Sequence, residues 1–135
     1  MLQFVMALML LLNRRRPEAD IREVASAIAQ VAQSPADARV LVTIHFNESG
    51  FNPRHRIPFG VLSMRGSTDI VEAARRALHI WSNGLRSCRT VERAFRYYIT
   101  GRCPARPTDA GRYGDPRVYT SVLARLGGPA ALAAR

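Results

Sequence analysis

The chain has 135 residues, 47% of them apolar and 22% charged, enough for one domain with a real core and far from disordered, collagen-like or disulfide-dense compositions. Its 20 basic residues, every one an Arg, stand against 10 acidic ones for a net charge of +10. Such a charge suits a polyanion, whether nucleic acid, an anionic membrane or the acidic polymers of a cell wall, and codon bias toward Ala, Arg, Pro and Gly accounts for it equally.

Residues 1–12 are apolar except for Gln3, too short a run to span a bilayer as a straight helix of about 20 residues. No basic residue precedes the run and no small-residue cleavage site follows it, while Arg14, Arg15 and Arg16 come directly after. Three readings stay open for residues 1–17: a core helix, a truncated export signal, or a short membrane-active segment. Over residues 20–33, Ile21, Val24, Ala25, Ile28 and Val31 recur every three to four positions, predicting a helix with Asp20 as its cap. Ser34-Pro35 opens a second helix that runs through Val40, Leu41 and Ile44 and stops where Gly50 takes a left-handed turn. Residues 51–66 read as a surface loop with a short extended stretch at Val61-Leu62. Ser67 or Thr68 caps a third helix over residues 69–81, with Ile70, Ala73, Ala74, Ala77, Leu78 and Trp81 inside, Arg75-Arg76 in water, and Asn83-Gly84 as its stop. Residues 91–98 form a fourth helix ended by Gly101. A turn-rich loop over 104–114 leads to a last helix from Asp115-Pro116 through Leu126, and 129–135 form a tail. No repeat or sustained alternation is present, so the expectation is an all-α single domain of about five helices over 18–128.

The most informative stretch is residues 40–53. On a helix, Leu41, Ile44 and Glu48 lie at i, i+3 and i+7, which puts a carboxylate on the apolar stripe. Burial and the partial negative charge of a helix C-terminus both disfavour an ionised carboxyl there, and a carboxyl that keeps its proton suits a general acid. The plainer alternative is a glutamate at the rim, pointing into water. His45, three residues before Glu48, shares that face, but His55 and His79 stand alone, so the spacing predicts no metal site.

The string Glu48-Ser49-Gly50-Phe51-Asn52-Pro53, ending a helix and followed by Gly60-Val61-Leu62, resembles the motif of the SLT-type lytic transglycosylases of the lysozyme-like superfamily. Tyr98-Ile99-Thr100-Gly101 looks like that family's Tyr-Asn-Ala-Gly motif, and the last helix, with Tyr119 and Val122, resembles its closing helix. The resemblance covers roughly residues 20–126, most of the chain. It departs at Ser63, where the family usually has Gln lining the substrate groove, and at Ile99 and Thr100, which replace a small polar pair.

The resemblance implies a lysozyme-like fold with a substrate groove, and cleavage of the β-1,4 bond between N-acetylmuramic acid and N-acetylglucosamine in peptidoglycan. Glu48 would protonate the leaving oxygen, then take a proton from the muramoyl C6 hydroxyl as it attacks the anomeric carbon, giving a 1,6-anhydro product. This is a one-carboxylate route, unlike the usual two-carboxylate scheme, and it calls for no cofactor or metal. Ser49, Gly60, Leu62, Ser63 and Tyr98 would contact the glycan or orient the acid; Ser49 serves equally as a helix-end residue bonding its own backbone, and Tyr98 as a core tyrosine. The partner expected is the glycan strand of peptidoglycan and no specific nucleic acid, with membrane association through residues 1–12. The setting is the periplasm or cell envelope, or delivery there by a phage particle or secretion system. Plain hydrolysis by a lysozyme is a near neighbour of this reading, and two alternatives of other classes remain: a lysozyme-like peptidoglycan-binding or structural module without turnover, and a nucleic-acid binder acting through its arginines.

Cys88 and Cys103 flank the fourth helix, and a bridge would close a loop of about 15 residues. A bridge points to an oxidising compartment; the alternative is two reduced, buried thiols.

Overall fold

A computed structural model describes residues 1–109 and 114–128. Six α-helices and two short 3-10 turns account for the regular structure, and the described residues contain no strand. The all-α expectation holds, with one helix more than the five expected, because residues 2–12 form a helix of their own. The chain divides within its fourth helix into two compact units, 1–78 and 79–135.

In the first unit, α1 (Leu2–Leu12) buries Val5, Leu8 and Met9 and packs on α2 (Glu18–Val31) and α3 (Pro35–Ser49). The N-terminal apolar run is therefore part of a helical core. No helix among the described residues is long and apolar enough to cross a membrane. The predicted stripe of α2 is buried at Ile21, Val24, Ala25 and Ile28. Its start is earlier than expected: Pro17 occupies the cap position, and Asp20 sits in the first turn. Asp20 is no cap because its carboxylate, 4% exposed, lies between two guanidiniums, Arg16 at 3.4 Å and Arg54 at 3.0 Å.

α3 is bounded by local chemistry. The Ser34 hydroxyl accepts from Asp37 N–H (3.2 Å), Pro35 fills the first turn, and the Asp37 carboxylate accepts in return from Gln33 N–H (2.9 Å). This reciprocal arrangement satisfies amides that a helix N-terminus leaves open. At the far end Gly50 is left-handed, φ 59°, and its N–H donates to Phe46 C=O. Between them, consecutive residues from Val40 to His45 are buried, so this middle part of α3 is covered on every face.

Residues 51–69 are less superficial than expected. Phe51 and Phe59 are fully buried and Val61 and Met64 nearly so, which pins the loop at four apolar points. Val61-Leu62 is not the start of a strand: Leu62–Met64 form a 3-10 turn. The cap of α4 (Ile70–Cys88) is Asp69, whose carboxylate accepts from Glu72 N–H at 2.9 Å, while Ser67 accepts from Asp69 N–H. Ala73, Ala74, Ala77 and Trp81 are buried along α4 and Arg75 and Arg76 are exposed, as the spacing requires, whereas Ile70 and Leu78 of the predicted stripe are only half-buried.

The second unit contains the end of α4, α5 (Val91–Thr100) and α6 (Pro116–Arg125). Asn83-Gly84 does not stop α4, which continues to Cys88. Gly84 is buried with Tyr97 so close that a methyl group in its place would lie 2.7 Å from the ring. Its missing side chain serves helix packing rather than helix termination. Trp81, Phe95 and Tyr119 pack in series as tilted rings, at 4.4 and 5.3 Å between centroids. Thr90 and Asp115 cap α5 and α6, and Gly101 ends α5 in the left-handed conformation. Cys88 and Cys103 lie at disulfide distance, with their Cα atoms 5.4 Å apart, the geometry that the bridge requires. The predicted 104–114 loop includes a 3-10 turn, Pro107–Asp109; its residues 110–113, and the tail 129–135, lie outside the described residues.

Candidate active site

Glu48 lies in the last turn of α3, half-buried, while Leu41 and Ile44 on the same stripe are fully buried. Its carboxyl rests directly on the backbone of Gly60. A Cβ at residue 60 would fall 2.6 Å from Cδ of Glu48 and 2.7 and 2.9 Å from its two oxygens. Gly60 is also left-handed, φ 73°, so two independent constraints require glycine there: the backbone conformation and the space taken by the carboxyl. Twelve residues apart in sequence, Glu48 and Gly60 are thus held together by the turn at Gly50 and the buried rings of Phe51 and Phe59.

Ser49 supplies the strut. Its hydroxyl lies 3.1 Å from Pro58 C=O across the loop, and 3.1 Å from both the carbonyl and Nδ1 of His45 one turn earlier. A hydroxyl has one proton to donate. With the proton of His45 on Nδ1, the imidazole donates to Ser49 and Ser49 donates to Pro58, which satisfies the most groups and assigns the tautomer. His45 is fully buried, stacked with Phe51 and edge-on to Phe59 at centroid distances of 5.9 and 4.7 Å. Burial, then the neighbouring charges of His55 and Arg16, lower its pKa to about 3, so the ring is neutral. Its Nε2 has no hydrogen-bond partner. His45 therefore belongs to the support of the site through Ser49. Elsewhere, His55 accepts from Ile57 N–H and His79 bonds Asn83, both local contacts. Among the described residues no three of His, Cys, Asp and Glu gather as a metal site would need.

A second support comes from residues that sequence reasoning did not place at the site. Asn13 Nδ2 and Arg16 Nε donate to Gly50 C=O at 3.4 and 3.2 Å, satisfying a carbonyl at the end of α3. Arg16 continues to Asp20, and Asp20 to Arg54 in the loop beyond the turn. The Arg16–Asp20 spacing of four is readable in sequence; the Gly50 and Arg54 partners, 34 positions away, are not.

Leu62 and Ser63 follow Gly60 on the 3-10 turn and both are exposed, Leu62 at 73%, the most exposed large apolar side chain described. The Ser63 hydroxyl accepts from Arg76 Nη1 at 3.1 Å. Glu48, Ser49, Gly60, Leu62 and Ser63 thus belong to one short stretch of the first unit, and Tyr98 is half-buried on α5 in the second. The remaining acids of the first unit are differently employed. Asp20 and Glu72 are in ion pairs, Glu18 pairs with Arg22 at the surface of α2, Asp37 and Asp69 serve helix ends, and Glu23 is exposed on α2. Hydrogen bonds from Arg75 and Arg76 lower the pKa of Glu72 and so favour its charged form. Glu48 differs from these acids in position: its carboxyl lies at the end of α3 against the left-handed turn at Gly60, two residues before the exposed Leu62.

The chain matches no family model, no curated protein and no solved structure.

Proposed function

We propose that the protein is a peptidoglycan lytic transglycosylase of lysozyme-like architecture, with Glu48 as its one catalytic acid and base. The observation that carries this reading is the seating of the Glu48 carboxyl on the left-handed backbone of Gly60. It brings Glu48 and Gly60, one from each of the motif's two parts, residues 48–53 and 60–62, against one another, which supports a shared role for them. Glu48 gives its proton to the glycosidic oxygen as the bond breaks, then accepts one from the muramoyl C6 hydroxyl, which closes the anhydro ring. Water is not consumed. Ser49 and Gly60 position the carboxyl, Leu62 offers an apolar surface to the sugar, and Tyr98 is assigned to the substrate by the motif alone. A Cys88–Cys103 disulfide and the positive charge are in keeping with an oxidising envelope and an anionic wall polymer.

The test is turbidity loss of purified sacculi with wild type and Glu48→Gln, with products weighed by mass spectrometry. Loss of a positioned general acid lowers rates by about 10²–10⁴-fold. The variant is expected to lose activity on that scale while keeping its circular dichroism and melting temperature. Products should be one water lighter than reducing ends. Equal activity in the two proteins would remove Glu48 from the mechanism, and reducing-end products would make the enzyme a hydrolase.

One observation favours a second reading, a peptidoglycan-binding module without turnover. Ser63 stands where the motif carries Gln, and its hydroxyl is already engaged by Arg76. Retention of wild-type protein on sacculi with no soluble product would select that reading.

A further inference from the structure

The outer face of α1 has no explanation in the candidate site. This 11-residue helix contains no charged residue, and Gln3 is its one polar residue. Its inner face is used: Val5 and Met9 are 0% exposed and Leu8 6%. On the other side Leu10 is 41% exposed and Leu11 59%, with Ala7 exposed one turn before. A helix whose only task is to cover a core carries polar residues on its wet side, so this one is amphipathic in burial but not in composition. Arg14 and Arg15 follow at once, both exposed. Arg16 turns inward to Gly50 and Asp20, whereas the guanidiniums of Arg14 and Arg15 pair with no acid among the described residues.

We propose that the Leu10-Leu11 face of α1, with Arg14 and Arg15 beside it, docks on an anionic lipid surface. Charge decides between lipid and a second copy of the chain. Two α1 faces packed together, parallel or antiparallel, bring arginines into the contact with no carboxylate on either helix to meet them. The nearest acids are committed, Glu18 to Arg22 and Asp20 to Arg16 and Arg54. Phosphate headgroups supply the missing negative charge, and acyl chains take the leucines. The helix lies on the bilayer and does not enter it lengthwise. At about 1.5 Å per residue its 11 residues fall well short of a hydrocarbon core about 30 Å thick, and its inner face is held by α2 and α3. The inference is independent of Glu48.

The native cysteines lie at disulfide distance, so in the oxidised protein Leu11→Cys gives the full chain a single thiol for an environment-sensitive fluorophore. The labelled protein is titrated with vesicles of phosphatidylcholine alone and of phosphatidylcholine with phosphatidylglycerol. The expected result is a blue shift with the anionic vesicles only. Arg14→Gln/Arg15→Gln, at exposed positions that leave the fold intact by circular dichroism, should weaken binding by tenfold or more. Arg93→Gln/Arg125→Gln, exposed in the second unit, should not. Four outcomes overturn the proposal: no binding to either vesicle, binding with the fluorophore still in water, equal loss from both arginine pairs, or a blue shift without vesicles accompanied by dimerisation.

Discussion

Gly60 is the residue on which the candidate site is most sensitive. Replacing it with Ala adds a carbon within 3 Å of three atoms of the Glu48 carboxyl and puts an L side chain at φ 73°. A non-glycine residue held in such a conformation costs about 1–3 kcal/mol, and the carboxyl has to leave its seat as well. Gly60→Ala is expected to lower urea stability by that order and to cut sacculus lysis more than the unfolded fraction explains. Full activity in the folded variant would show that the seat is unnecessary. His45, below the site, makes a separate prediction through its lowered pKa of about 3. In the unfolded chain it takes up a proton near the ordinary value of about 6.5, so below that pH the unfolded state binds more protons than the folded one. The stability from keeping this ring neutral is complete above pH 6.5 and is lost as pH falls toward 3, at a limiting slope of about 1.4 kcal/mol per unit. Urea titrations between pH 7 and 5, above most carboxylate titration, should show this loss in wild type and a flatter profile in His45→Gln. Identical profiles would mean that the ring is solvated.

At the scale of helices, the sequence is most legible where local chemistry decides. Ser34-Pro35 and Gly50 mark both ends of α3, and Asp115-Pro116 opens α6, because caps and left-handed turns act within a few residues. Misreadings arise where a distant partner changes a residue's task. Asp20 looks like a cap until Arg54 reaches it from the loop, and Gly84 looks like a helix stop until Tyr97 is seen against it. The candidate site divides in the same way: Glu48 and the Gly50 turn are readable from spacing, while the Ser49–Pro58 bond and the Gly60 seat depend on how residues 51–60 fold back. Gly84 allows a direct test of which effect governs. Glycine inside a helix costs about 1 kcal/mol relative to alanine, which taken alone makes Gly84→Ala stabilising. A Cβ there meets the Tyr97 ring and stem at 2.7 to 3.2 Å, and overpacking costs about 1–3 kcal/mol. Packing should win, so Gly84→Ala is expected to lower the melting temperature. The same substitution in a Tyr97→Ala background should raise it, because only the propensity gain is left. If Gly84→Ala raises the melting temperature with Tyr97 present, the close approach is no constraint.

For the whole molecule the governing quantity is charge. A net +10 carried wholly by arginine stays positive at any physiological pH, since guanidinium does not titrate there. Such a field concentrates any polyanion near the protein but cannot distinguish one from another, so under the proposed function it would govern arrival and leave chemistry to Glu48. The two contributions separate by ionic strength. The Debye length falls from about 30 Å at 0.01 M salt to about 8 Å at 0.15 M, which screens distant arginines from the wall polymer. A proton transfer inside a contact only a few ångströms wide is screened far less. Binding to sacculi should therefore weaken by tenfold or more over that range, in wild type and Glu48→Gln alike, while turnover at saturating substrate changes less than about twofold. Depletion assays give the first quantity and product release the second. Salt-independent binding would assign recognition to the neutral sugar contacts around Leu62 and leave the arginines without a part in it. A turnover number falling as steeply as the binding would mean that charged residues act in the bond-breaking step, and a single carboxyl would no longer describe the site.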